Sequence, residues 1–231
     1  MLDDSAVMPL LAALVAGAMA ARMAGSATRA FTPAKPLWAV GLLLFAAASA
    51  AAAYGTADGW GVISFRIYYL TGAVLCVGLL GAGSAFLALP RTIALVVFGM
   101  TLTAVVGATV TVLIAPIDST ALTALNGLQT PPNHTIGGHA AVWAIAINSV
   151  GTLLLIVGAL VSIRRRRHVG PNLVILGGVI VIAFAGSLTR FGGAELLYAG
   201  QLAGLILLAG GMEWANRRGP VRSAPPAVAA T

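Results

Sequence analysis

AAVWAIAINSVGTLLLIVGALVSIRRRR, the stretch from Ala140 to Arg167, decides the fold. Up to Ile163 it contains no charged residue, and it exceeds the roughly 20 apolar residues that an α-helix needs to cross a bilayer. A chain in hydrocarbon must satisfy its backbone hydrogen bonds within the segment itself, so a helix is expected. Four arginines end the stretch, as is typical of the cytoplasmic end of a span. We therefore predict a transmembrane helix that ends in the cytoplasm.

Six further stretches share this apolar character. Hydrophobic residues make up 59% of the 231 residues and charged residues only 8%, whereas about a quarter of a soluble domain is charged. We predict an all-α fold, a polytopic transmembrane helix bundle of seven spans over residues 1–215, followed by a disordered cytoplasmic tail over residues 216–231. The predicted spans are Ala6–Ala24, Leu37–Tyr54, Ile67–Leu89, Thr92–Ala115, Ala140–Ile163, Asn172–Leu188 and Leu196–Trp214.

The connectors between the spans predict the orientation. Of the 13 lysines and arginines, all but two lie at the ends of the odd-numbered spans or in the segments that directly follow them. The two exceptions, Arg66 and Arg190, lie in connectors that follow even-numbered spans. Because Lys and Arg accumulate on the cytoplasmic side, the N-terminus is predicted outside and the C-terminus inside. The abundance of alanine and arginine suggests a bacterial chain, so the expected location is the cell inner (cytoplasmic) membrane.

The basic residues also bear on the expected partners. They lie between apolar runs rather than along a helical stripe interleaved with aromatic residues, which argues against nucleic acid. The expected partners are the lipid bilayer and either other membrane proteins or further copies of the chain.

One part of the third span resembles a known group of proteins. Arg66-Ile67-Tyr68-Tyr69-Leu70-Thr71-Gly72-Ala73, with Leu80-Gly81-Ala82-Gly83 after it, resembles uncharacterised small prokaryotic seven-span integral membrane proteins. The resemblance implies the fold and carries no activity. Two better-known seven-span classes fit less well, because the seventh span has no lysine to hold retinal, and the Pro-Gln dipeptide found in relatives of seven-span sugar transporters is absent.

Glycines predict where helices pack closely. Gly200, Gly204 and Gly211 share one side of the seventh span on an ideal helix, and the first two have the GxxxG spacing that lets helix backbones approach. Gly78 and Gly81 of the third span are further candidates. We expect these five residues to lie at helix–helix contacts.

Polar residues at the outer end of the seventh span are the first candidates for function. Glu195, Tyr198 and Gln201 lie away from the glycine side, and polar groups at the edge of hydrocarbon call for an explanation. One interpretation makes them the wall of an outward-facing polar pocket. The other pairs Glu195 with Arg190 or Arg66 at the level of the lipid headgroups, where a carboxylate at a helix start is favoured anyway.

A balanced ion-pair cluster is a sharper version of the first interpretation. Asp58, Arg66, Arg190 and Glu195 all fall at the predicted outer ends of spans. Such a cluster would line a path for a solute or lock an outer gate. Tyr69, which follows Arg66 closely, is a further candidate for contact with a ligand, although aromatic residues at this depth are common interfacial anchors.

The longest connector lies between the fourth and fifth spans. Its leucines recur every three residues, at Leu122, Leu125 and Leu128, which predicts a short interfacial helix over the outer face. Its His134 and His139 lack the i, i+4 spacing that aligns metal ligands on one helical face. We expect no metal ion and no cofactor.

These observations lead to two hypotheses about function. No HExxH or CxxC motif and no Ser-His-acid set lies at one membrane depth, so we expect no enzyme. The favoured hypothesis is small-solute transport or ligand binding through the outward-facing polar pocket. The alternative is a non-catalytic structural or assembly subunit, whose glycine-rich third and seventh spans pack against other membrane proteins. Asn148 and Ser149, in the fifth span, are interpreted as contacts between helices.

Overall fold

The computed structural model describes residues 4–29, 31–125, 131, 135–165, 169–188 and 194–217. In this part of the chain, seven helices are long and apolar enough to cross a membrane. The seven predicted spans are thereby confirmed, and the architecture is that of an integral membrane protein. The helices are α1 (Asp4–Arg29), α2 (Ala34–Asp58), α3 (Val62–Ala88), α4 (Arg91–Ile114), α5 (Ala140–Arg164), α6 (Val169–Leu188) and α7 (Ala194–Arg217).

Successive helices run in opposite directions, so the bundle has two ends. The end at which α1, α3, α5 and α7 begin is called the N-terminal end, and the opposite one the C-terminal end. The predicted tail, residues 216–231, lies almost wholly outside the described residues.

The connectors on either side of α3 are short, and glycine and proline account for their form. Gly59 follows α2 with a φ of +92°, a backbone conformation that side chains other than glycine rarely adopt. The Gly61 N–H donates to the Ser64 Oγ over 3.0 Å, which caps the start of α3. Between α3 and α4, Leu89 is extended because Pro90 disfavours a helical conformation in the residue before it.

The early start of α3 corrects one prediction. The sequence interpretation put Arg66 in the connector before the third span, but α3 begins at Val62. Arg66 therefore lies inside the helix, one turn from its start. The reason is the cap at Gly61, which extends the helix beyond the purely apolar run.

Six of the seven helices form a ring, in which each packs on two others. The helix α1 packs on α2, α2 on α3, α3 on α5, α5 on α6, α6 on α7, and α7 on α1. The helix α4 stands outside the ring and packs on α3 and α5. Its outward side carries large exposed apolar residues, as expected of a helix that faces lipid: Leu95, Met100, Leu102, Val106, Val110 and Leu113.

One close approach within the ring is between α3 and α5. A Cβ added to Gly81 would lie 2.6 Å from the Cα of Gly151, and one added to Gly151 would lie 2.5 Å from the carbonyl oxygen of Val77. A Cβ at Gly78 would lie 2.8 Å from a methyl carbon of Ile147. Only glycine allows two backbones to come this close.

A second glycine contact joins α6 and α7. A Cβ added to Gly204 would collide with the Ile182 side chain and lie 2.7 Å from the carbonyl oxygen of Gly178. A Cβ at Gly200 would collide with Ala185. Gly211 lies equally close to α6, since its added Cβ would lie 2.9 Å from the carbonyl oxygen of Pro171. The glycine side of α7 is therefore covered by α6.

Candidate functional site

The ring encloses a cavity of about 730 Å³. All six ring helices contribute to its lining, together with Pro131 from the connector between α4 and α5. The described residues of α4 do not reach it. The cavity extends from Ala141 and Leu197 near the N-terminal end to Trp38 and Met212 near the C-terminal end.

Polar side chains form a belt around the N-terminal half of the cavity. At a rise of 1.5 Å per residue, the belt lies about 9 to 18 Å from the N-terminal end of the bundle. Its members come from α2, α3, α5 and α7, so they converge from different sides. The belt comprises Ser49, Tyr68, Tyr69, Asn148, Ser149, Thr152 and Gln201.

The C-terminal half of the cavity is lined mainly by aliphatic, aromatic and methionine side chains. Its wall consists of aliphatic side chains from α2, α3, α5, α6 and α7 together with Met19 of α1, and Trp38 and Met212 lie deepest. No charged residue is found among the described residues that line either half. The cavity therefore changes along its axis from neutral polar to apolar. The residues of the apolar half include Met19, Leu42, Leu80, Ile156, Ile175 and Leu208.

An irregular stretch of α3 forms one wall of the belt. Residues Tyr69–Cys76 are π-helical, with a wider turn than the α-helix on either side. The Asn148 amide of α5 donates to the carbonyl oxygen of Ala73 in this stretch, and to that of Ala144 over 3.0 Å. A π-helical stretch displaces the regular ladder of hydrogen bonds, and such stretches are frequent at functional sites. Asn148 thus ties the irregular part of α3 to α5 at the level of the belt.

The N-terminal end of the cavity is covered by a packed cluster that includes the connector between α4 and α5. A short helix, Ser119–Thr123, is capped by the Asp118 carboxylate, which accepts from the Thr120 and Ala121 N–H groups. Leu122 is fully buried, and Leu125 packs against the same cluster. A short helix is therefore present over this end, but it ends at Thr123, before Leu125, and Leu128 lies outside the described residues.

Tyr69 and Gln201 are the sequence-selected residues that line the cavity. Tyr198 lies in the adjoining cluster with Tyr69 and is 1% exposed. Its hydroxyl has no hydrogen-bond partner among the described residues. Arg190 and the side chain of Glu195 lie outside the described part of the chain.

Arg66 and Asp58 are not brought to the cavity. The Arg66 guanidinium donates to the carbonyl oxygens of Val112 and Leu113, and to that of Ala115 over 3.2 Å. It thus caps the C-terminal end of α4, where carbonyl groups lack partners within the helix and the helix dipole favours a cation. Asp58 is exposed at the end of α2. Of the predicted cluster of Asp58, Arg66, Arg190 and Glu195, the structure describes the side chains of Asp58 and Arg66 alone. These two form no ion pair with each other, because Arg66 is bound to α4.

Three of the belt residues were not selected from the sequence as site candidates, namely Ser49, Tyr68 and Thr152. Asn148 and Ser149 were assigned to contacts between helices, and Asn148 also makes such a contact. The available signal was the spacing of Asn148, Ser149 and Thr152 in one otherwise apolar span, which puts Asn148 and Thr152 on one side of the helix. Ser49 carried no signal, since a single serine in an alanine-rich helix is common.

Within the described residues, no group of three or more His, Cys, Asp or Glu side chains lies close enough to hold a metal ion. Cys76, the single cysteine of the chain, is buried in the cavity wall. Comparisons with protein-family models, with curated proteins and with solved structures give no match.

Proposed function

We propose that the protein binds a small uncharged molecule in the cavity enclosed by the helix ring, either as a receptor site or as one step of transport. The observation that carries this proposal is the cavity itself, with its belt of neutral hydrogen-bonding groups. Its volume of about 730 Å³ falls within the range of roughly 300 to 1,000 Å³ typical of small-molecule sites.

The chemistry of the lining supports an uncharged ligand. A charged solute would lose its hydration on entry, and none of the described lining residues offers an opposite charge in return. Hydroxyl and amide groups, by contrast, can donate to and accept from a neutral polar ligand. Gln201 and Thr152 are the residues proposed to contact it, with Tyr69 and Ser149 beside them.

The distribution of basic residues supports the orientation proposed with this function. The last turns of α1, the start of α2, the start of α4, the end of α5 and the end of α7 carry most lysines and arginines. The C-terminal end of the bundle would then face the cytoplasm and the polar belt would lie nearer the outside of a bacterial inner membrane. A periplasmic phosphatase fused after Thr130 should be active, and a cytoplasm-dependent fluorescent protein fused at Thr231 should fluoresce. The reverse pattern would refute the orientation.

The alternative, a structural or assembly subunit, receives less support. That hypothesis used the glycine sides of the third and seventh spans as surfaces for partners. Gly81 is in contact with α5 of the same chain, and Gly200 and Gly204 are in contact with α6. The proposal of ligand binding therefore takes precedence, and co-purification of a stoichiometric membrane partner would favour the alternative.

Thermal unfolding of the purified protein with a panel of solutes tests the proposed function. The panel contains matched uncharged and charged members, such as long-chain alcohols, ketones, carboxylates and amines. We expect members of the uncharged group to raise the unfolding temperature, since a ligand at 100 times its Kd stabilises the folded state by about 2.7 kcal/mol. If only charged members stabilise the protein, or none does, the proposal fails.

A pair of isosteric variants locates the effect. Thr152→Val removes a hydroxyl from the belt, whereas Thr103→Val removes one from the exposed side of α4, where it donates to the Gly99 carbonyl over 3.1 Å. We expect Thr152→Val to reduce the ligand-induced shift and Thr103→Val to leave it unchanged. Equal shifts in the two variants would show that the solutes act outside the cavity.

A further inference from the structure

The cavity has an opening in its side, between α5 and α6. Ile145, Ser149 and Leu153 follow one another at four-residue intervals on α5, and all three line the cavity. They are nevertheless exposed, Ile145 to 54% and Leu153 to 60%. On the facing helix, Ala183 and Gly186 also combine exposure with a place in the lining. These five residues are called the α5–α6 portal.

Lining residues elsewhere do not show this combination. Leu42 on α2, Tyr69 on α3 and Leu205 on α7 all line the cavity and are all buried. The ring is therefore closed at those helices. Exposure of the portal residues reflects a gap between two helices rather than the size of the cavity.

The packing on either side explains why this seam is open. The helix α5 is held close to α3 by Gly81 and Gly151, and α6 is held close to α7 by Gly178 and Gly204. Between α5 and α6 the Asn172 amide donates to the Ser162 hydroxyl over 2.8 Å, close to the connector that joins them. Towards the N-terminal end, a Cβ added at Gly186 would meet nothing within 4 Å, so no side chain of α5 fills the space beside it.

The portal faces the hydrocarbon of the membrane rather than water. It begins about 7 Å and ends about 20 Å from the start of α5, at 1.5 Å per residue, which is within the apolar span. Large exposed apolar side chains stand beside it on both helices: Val142 and Val150 on α5, and Ile180 and Phe184 on α6. A molecule that enters here comes from the bilayer, so it must be soluble in lipid and uncharged at its polar end.

We propose that the cavity takes an uncharged amphiphilic lipid from the bilayer through the α5–α6 portal, with its hydroxyl or carbonyl headgroup in the polar belt and its hydrocarbon tail in the apolar half. This inference rests on the proposed function and names its ligand class. Ser149 lies both in the portal and in the belt, so a headgroup that passes the portal meets a hydroxyl at once. The wall of aliphatic side chains down to Met212 accepts the tail.

Photolabelling in phosphatidylcholine vesicles tests the inference. The probe is hexadecanol with a diazirine next to the hydroxyl-bearing end, and labelled residues are located by mass spectrometry. We expect label on cavity residues of α7, Gln201 and Leu205, and we expect an excess of plain hexadecanol to suppress this label but not label on outward residues such as Ile180. Label confined to the outward residues would overturn the inference.

A matched pair of glycine variants tests the route. Gly186→Trp puts an indole in the portal, whereas Gly177→Trp puts one on the same helix at a position that is outside the lining and also has nothing within 4 Å. We expect Gly186→Trp to reduce label on Gln201 and Leu205 by about tenfold, which corresponds to ~1.4 kcal/mol. Gly177→Trp should leave the label unchanged. Equal labelling of both variants would refute entry through the portal.

A fatty acid of the same chain length tests whether the headgroup must be uncharged. Hexadecanoic acid with the same diazirine should label only outward residues when ionised, because the described lining offers no cation. Cavity label from the acid equal to that from the alcohol would refute the uncharged headgroup.

If Gly186→Trp fails to fold, the competition experiment on the unaltered protein still decides whether the alcohol occupies the cavity. Should the solute panel stabilise the protein through Thr152 while the alcohol labels only outward residues, the portal inference alone is wrong.

Discussion

The α3–α5 and α6–α7 interfaces both depend on glycine, but they present different atoms to one another. At the α3–α5 interface, backbone meets backbone, with Gly81 against Gly151 and Gly151 against Val77. At the α6–α7 interface, the atoms nearest to Gly200 and Gly204 are side-chain carbons of Ala185 and Ile182, and backbone also meets backbone between Gly178 and Gly204. A side chain can rotate or shift to relieve a collision, whereas the backbone of a packed helix cannot do so without moving the whole helix.

The same two interfaces differ in regularity. The α3 side of the first contains the π-helical stretch Tyr69–Cys76 and receives the Asn148 hydrogen bond at Ala73. The helices α6 and α7 are regular where they meet. The α3–α5 interface, which is irregular, forms one wall of the polar belt. The α6–α7 interface, which is regular, borders both the belt, through Gln201, and the apolar half of the cavity. Close glycine packing thus supports the ring at both places, while polar groups are concentrated at the first.

Gly151→Ala should have the largest effect on this comparison. The new methyl group would lie 2.5 Å from the Val77 carbonyl oxygen, so α3 and α5 must separate. We expect a loss of about 3 kcal/mol or more of unfolding free energy, as for severe overpacking, and poor recovery of monodisperse protein. Gly99→Ala on α4 is the control, since its methyl group meets nothing within 4 Å. Equal stability of the two variants would contradict the backbone contact.

Gly204→Ala should be milder, because one of its two collisions is with a side-chain carbon of Ile182 rather than with the backbone. The other is with the Gly178 carbonyl oxygen at 2.7 Å, so some separation of α6 and α7 remains necessary. We expect a loss of about 1 to 2 kcal/mol, measured as a lower thermal midpoint in detergent. Gly210→Ala on the same helix, which meets nothing within 4 Å, should not destabilise. If Gly204→Ala destabilises more than Gly151→Ala, the distinction between the interfaces is wrong.

Asn148→Leu sharpens the comparison by removing the polar contact and keeping the size of the side chain. The hydrogen bond to Ala73 is lost, and such bonds between helices in membranes contribute about 0.6 kcal/mol on average and up to about 1.7. We expect a destabilisation in this range, together with a smaller ligand-induced thermal shift. Asn172→Leu removes an amide that bonds to Ser162 away from the belt. That control should change stability alone, and a loss of the ligand effect in both variants would argue against a local role of Asn148.

Arg66→Gln tests an anchor that lies outside both interfaces. Its bonds to the last carbonyl groups of α4 are lost, but the side chain is half-exposed, so we expect a destabilisation of no more than about 1 kcal/mol. The ligand-induced shift should persist, because Arg66 does not line the cavity. Arg91→Gln, at the exposed start of α4, provides the charge-matched control. If Arg66→Gln loses ligand binding and Arg91→Gln does not, Arg66 takes part in ligand binding.

Tyr198→Phe should have the smallest effect. The hydroxyl is buried and has no hydrogen-bond partner among the described residues, so its removal relieves an unsatisfied polar group. We expect a thermal midpoint that is unchanged or slightly higher. A clear decrease would mean that the hydroxyl is bonded in the membrane.

The positions of the helices could be predicted from the sequence because they depend on local composition. A segment of some 20 apolar residues must be helical in hydrocarbon, whatever surrounds it. The connector before α3 was the exception, since Arg66 looked like part of a loop. A basic residue in the first turns of a helix can reach a neighbouring helix end, and only the position of α4 reveals that it does.

The candidate site could be predicted only in part. Gln201 and Tyr69 were selected as polar residues near the ends of spans, and they do lie on the cavity. Ser49 and Thr152 were not selected, because a lone hydroxyl in an apolar helix commonly bonds to its own backbone. Their convergence depends on which sides of α2 and α5 turn inward. Helical periodicity is a weak guide here, since the lipid-facing and inward sides are both apolar.

The sequence by itself determined that the chain folds into seven membrane-spanning helices and which residues on α3 and α7 are small enough for close contact. Hydrocarbon imposes the helices, through the length of the spans and the need to satisfy the backbone within each segment. The small size of glycine is a property of the residue itself. The tertiary structure decided that α4 stands outside a ring of six, that α5 leans towards α3 and α6 towards α7, and that a cavity and its portal remain. Those features depend on how helix surfaces fit together over residues far apart in the chain, which no single segment encodes.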